Sequence, residues 1–136
     1  MKNLKLFLKK KDYDINHISS EISVLQNELK FLENRKKYYH DKLNGLKNFR
    51  PENVREINLT DLAIQELYIE IRNIEIDIEN VKSKIEEKRE ILKEHVGEKK
   101  ALQLFQKNLK KKEILAEIQK ETNLANEIFN NRHSNS

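Results

Sequence analysis

Cysteine and tryptophan are absent from this chain of 136 residues, proline occurs once and glycine twice. Zero cysteines exclude a disulfide framework and any thiolate metal site. With Gly45, Gly97 and Pro51 as the only strong breakers, turns must be very few. Isolated glycines also leave no Gly-rich phosphate loop. His17, His40, His95 and His133 never fall three or four apart, so no H-E-x-x-H zinc helix is present. No stretch approaches the ~18 apolar residues of a membrane span, and the opening "MKNLKLFLKKKDYD" does not read as a signal peptide. No cofactor and no metal are expected.

What the chain does have is charge and periodicity. Charged residues make up 37% of it, hydrophobic residues another 37%, and the apolar ones recur at coiled-coil spacing. Ile15, Ile22, Leu29 and Leu43 fall seven or fourteen apart, and Ile18, Leu25, Leu32, Tyr39 and Leu46 interleave with them. This is an a/d heptad seam with Lys36 as the polar residue at an a position. "NGLKNFRPEN" breaks it around Gly45, Arg50 and Pro51. Asn58 or Thr60 can cap a second helix, with Asp61 near its positive end. A second seam follows, with Ile71, Ile78, Ile85 and Leu92 at a, and Ile74, Val81 and Leu102 at d; Lys88 and His95 interrupt it.

The expected fold is all-α: two long helices forming one antiparallel coiled-coil hairpin over residues 1–136. The expected bounds are a helix at 2–47, a loop at 48–60, a helix at 61–131 and a frayed tail at 132–136. So short a connection cannot return the chain to a parallel start. Facing residues must then have numbers with a constant sum, 103 or 110, and the sequence does not choose between them. Charge supports the pairing: residues 30–50 hold seven Lys/Arg and two Asp/Glu, whereas residues 56–79 hold seven Asp/Glu against Arg72 alone. Lys36 is expected near Glu66 or Glu70. The second helix is the longer, about 70 residues against about 45, so everything after about Leu109 overhangs its partner. That overhang is amphipathic, with Ile114, Leu115, Ile118, Leu124, Ala125, Ile128 and Phe129 in one stripe. An isolated helix of this length is marginal in water, so a partner must complete it.

Two further stripes lie off the seam near the loop. Val24, Phe31 and Tyr38 repeat every seven residues on the first helix, and Leu62, Ile69 and Ile76 do so on the second. They suggest a second contact surface. Lysines gather at the open end of the hairpin: Lys9, Lys10 and Lys11, with Lys99, Lys100, Lys107, Lys110, Lys111 and Lys112. A basic coiled coil of this kind can bind nucleic acid, but a net charge of only +4 suits a solvated surface or an acidic protein partner better. A pair of helices offers no concave pocket to dry its carboxylates, so no catalytic residues are expected.

The closing segment resembles the FliJ family of flagellar type III export proteins. The similarity is carried by Ile118, Gln119, Lys120, Leu124, Asn126, Glu127, Ile128 and Arg132, with Asn126 standing where the family has an acidic residue. The N-terminal Leu4, Phe7, Leu8 and the three lysines that follow are similar to the family's opening. The resemblance implies a non-catalytic stalk or adaptor whose termini end enters a hexameric export ATPase ring. On it, the ring contacts are Phe105, Ile114, Leu115, Ile118, Leu124, Ala125, Ile128, Phe129, Arg132, Lys9, Lys10 and Lys11. The loop-proximal stripes would meet a cytoplasmic domain of the export gate, and export chaperones are further implied partners. It also implies a cytoplasmic protein held peripherally at the inner face of the cell membrane, serving flagellum assembly and motility. The competing expectation is a generic coiled-coil scaffold that self-associates through its C-terminal helix.

Overall fold

A computed structural model describes the backbone of residues 2–134 and the side chains of residues 3–132. Two helices account for nearly all of it: α1, Lys2–Asn48, and α2, Val54–Ser134. They pack against each other as a hairpin, and α2 is the longer, 81 residues against 47. No helix among the described residues is long and apolar enough to cross a membrane.

The connection is shorter than the sequence suggested. Gly45 lies inside α1 with ordinary negative φ, so only Pro51 and its neighbours break the helix. The cap is Asn53, not Asn58 or Thr60. Its Oδ1 accepts the backbone N–H of Glu56 at 2.9 Å, and its carbonyl accepts that of Ile57 at 3.1 Å. Glu56 Oε2 in turn accepts the N–H of Glu52 at 2.7 Å. Two N–H groups at the helix start are thus satisfied reciprocally, in the manner of a capping box, and the Glu56 carboxylate faces the positive end of the helix dipole. At the other end, the tail expected from residue 132 is still helical at Ser134; residues 135 and 136 lie outside the described residues.

Contacts group into two units, each holding a length of both helices. In Ile15–Lys93, the interior is the expected seam. Leu32, Ile74, Ile78, Val81 and Ile85 form one buried cluster, with Leu25, Leu29 and Tyr39 packed on its edge. Ile18, Ile22, Leu43 and Ile71 are buried as well. In the other unit, Met1–Asp14 with Glu94–Ser136, Leu4 is buried. Leu8, Val96, Leu102 and Leu109 are half-covered.

Ion pairs settle the register. Cross-helix partner numbers add to 109 for Lys88–Glu21 and Lys11–Glu98, and to 111 for Lys36–Glu75 and Lys99–Asp12. The sum is therefore 110. Lys36 accordingly meets Glu75, at 3.4 Å, and not Glu66 or Glu70. In this register Glu70 and Glu66 lie about one and two helical turns nearer the loop than the position facing Lys36.

Candidate docking surfaces

The polar residues of the seam are the first candidates for chemistry, and the structure commits them to the hairpin. Lys88 occupies a d position where Leu or Ile would be buried. It is half-buried, and its ammonium reaches Glu21 on α1 at 2.7 Å. His17 meets the same carboxylate at 2.9 Å, one helical turn away on α1. The hydrogen bond from Lys88, together with the nearby positive charge, holds the Glu21 carboxyl below its ordinary value despite some desolvation. In the terminal unit Lys11 plays the equivalent part. It pairs with Glu98, whose carboxyl it holds low, and donates to His95 Nδ1 at 3.1 Å. Lys11, expected as a ring contact, is therefore turned into the hairpin, whereas Lys9 and Lys10 are exposed.

The C-terminal stripe is where the sequence put it. Every described residue from 110 to 132 is exposed. Ile114, Leu115, Ile118, Leu124, Ile128 and Phe129 are each 50–65% accessible. The helix stays unbroken throughout, since residues 110–132 contain neither glycine nor proline. Arg132 and Ala125 are exposed on the same segment, and so is Phe105 just before it.

Near the loop, Val24, Phe31 and Tyr38 on α1 and Leu62, Ile69 and Ile76 on α2 are all 52–66% accessible. Sequence reasoning missed how the tyrosines are held. Lys42 lies over the Tyr38 ring at 5.4 Å, Arg35 over Tyr39 at 5.6 Å, and Lys47 over Tyr68 at 5.1 Å. The two adjacent rings meet edge to face at 5.6 Å. The first two cation contacts are i,i+4 pairs, a spacing readable from the sequence; the third depends on the register. Also missed were Leu6 and Leu104, which with Phe7 are exposed apolar residues among the lysines of the terminal unit.

A shallow groove of about 420 Å³ runs beside Val24, lined by His17, Ser20, Glu21, Leu25 and Lys88 among others. It is open to solvent along its length, and no group of three or more metal-ligating side chains occurs among the described residues. What the surface offers is docking area: exposed apolar stripes on the two helices, with charged residues between them. The class the fold defines is a two-helix hairpin with a coiled-coil seam. No protein-family model, no curated protein and no solved structure matches the chain.

Proposed function

We propose that this protein is a non-catalytic adaptor that docks the helix at residues 110–132 into a larger assembly. On its resemblance to the FliJ family, that assembly is the hexameric ATPase of a flagellar type III export apparatus. The observation that carries the reading is the stripe of half-exposed Ile, Leu and Phe on a helix that continues past the paired seam. Burying such a stripe at ~25 cal/mol per Å² supplies several kcal/mol, less the cost of immobilising the helix. The exposed lysines beside it suit an acidic rim. In this reading the loop-proximal stripes face the export gate, export chaperones are further partners, and the protein works at the inner face of the cell membrane without entering it.

Deletion of residues 110–136 tests this directly. The seam residues up to Leu109 remain, so the truncated chain should keep its cooperative melt and lose binding to the ATPase ring. Ile118→Asp in the full chain should act the same way, since it puts a carboxylate in the buried face. Unchanged ring affinity in both variants would end the stalk reading. A stable dimer or tetramer that dissociates on the same deletion would favour the self-associating scaffold instead.

A further inference from the structure

The exposed face of α1 in Ile15–Lys93 carries a charge pattern that inverts about its own centre. Val24, Phe31 and Tyr38 form the exposed stripe, and residues at one heptad position flank it on one side: Glu28, Arg35 and Lys42, all exposed, and Glu21, half-buried against Lys88. Read from the other direction the order is Lys, Arg, Glu, Glu, so each residue meets its opposite sign under a two-fold rotation. The other flank holds Ser20, Asn27, Asn34 and Asp41, and rotation brings no like charges together there either. We propose that this face binds the same face of a second copy, antiparallel, with the two-fold axis at Phe31.

The geometry follows from helix spacing alone. If Phe31 meets Phe31 of the second copy, Val24 meets Tyr38 and Tyr38 meets Val24. Glu28 then faces Arg35 twice, and Lys42 arrives on the side of the half-buried Glu21, whose carboxylate already holds Lys88 and His17 within its own hairpin. In antiparallel helices, flanks of the same hand lie together, so these pairs fall on one side of the apolar contact. A two-fold interface of this kind closes on itself and stops at a dimer. The groove beside Val24 lies where the Tyr38 ring of the second copy arrives. Within the hairpin Glu28 makes no ion pair among the described residues, and Arg35 contacts Tyr39, through the ring and a 3.3 Å hydrogen bond to its hydroxyl, while Glu70 and Asp77 act on it electrostatically from α2. The stripe on α2 has no such symmetry: the same rotation about Ile69 sets Glu66 against Asn73 and Gln65 against Arg72. It stays available to an export-gate domain, so the present inference reassigns the α1 stripe alone.

Six half-exposed side chains, three from each copy, bury on the order of 600 Å². Even with the flanking pairs the contact is smaller than a stable specific interface. The dimer should therefore be weak and concentration-dependent. Sedimentation of the full chain over a rising concentration series should show monomer passing to dimer and no further. Phe31→Glu sets two carboxylates against each other on the axis and should hold the protein monomeric, with its dilute circular dichroism and melting unchanged. Glu28→Arg and Arg35→Glu should each weaken the dimer when alone. Mixed together they should form a heterodimer, because every flanking pair is again of opposite sign. Residues 110–132 are intact in all these variants, so the outcome is independent of the ATPase reading. A wild-type chain that stays monomeric at about 1 mM, association that Phe31→Glu leaves intact, growth past the dimer, or a mixture no tighter than its components would each overturn the proposal.

Discussion

Ile74 and Ile76 lie two residues apart on the same helix and have the same side chain, yet one is 3% exposed and the other 52%. Replacing each with alanine separates seam from surface. At position 74 the substitution removes three carbons from a cluster that includes Leu32, Ile78, Val81 and Ile85. Lost transfer energy plus the cavity left behind should cost about 2–4 kcal/mol. At position 76 the removed atoms are already half hydrated, and alanine has the better helix propensity by a few tenths of a kcal/mol. The net change there should stay within about 0.5 kcal/mol. Urea unfolding followed by far-UV circular dichroism, at low protein concentration, is the assay. With a slope of about 1–3 kcal/mol per molar, Ile74→Ala should lower the midpoint by about 1 M or more, and Ile76→Ala by a few tenths. Equal losses at the two positions would refute the assigned seam, and a larger loss at Ile76 would mean that the helix faces the other way.

Asn53→Ala removes the acceptor for the Glu56 N–H and should cost about 1 kcal/mol, whereas Asn58→Ala, outside the cap, should be nearly silent in the same melts. Acid should weaken the hairpin with a defined sign. Glu21 and Glu98 carry folded-state values below the ordinary 4.5 because of Lys88 and Lys11, so their contribution is complete above the unfolded value and is lost as pH falls through the folded one. The melting temperature should drop as pH falls below about 4.5, and Glu21→Gln should flatten part of that drop.

The seam, the hairpin and the overhang were legible because each rests on periodicity, which burial enforces residue by residue. Register was not, for a reason visible at its polar positions. At a sum of 103 Lys36 would have found Glu66 and Lys88 would have found Asp14; at 110 they find Glu75 and Glu21. Either slide satisfies both lysines, so charge matching could not decide. The start of α2 was misplaced because Val54, Ile57 and Leu59 are exposed, leaving no apolar rhythm to mark the helix there. The signal present was local: asparagine followed three residues later by glutamate, just after a proline. The docking stripes were legible as positions, but their occupants are written in flanking charge, which heptad counting of apolar residues passes over.

Pairing at a constant sum also sets an order of assembly. Lys36 and Glu75 are brought together by closing a loop of 39 residues, whereas Lys11 and His95 stand 84 apart. Doubling a loop adds about 0.6 kcal/mol of closure entropy, so the first stable turns should join beside Asn53 and the helices should zip from there toward the termini. Opening runs the same course in reverse. The cheapest excursion from the folded state releases Met1–Asp14 from the opposing stretch of α2, next to the lysines and the exposed helix that a partner would meet. Amide exchange should accordingly be fastest at that end and slowest around Ile74 and Ile78.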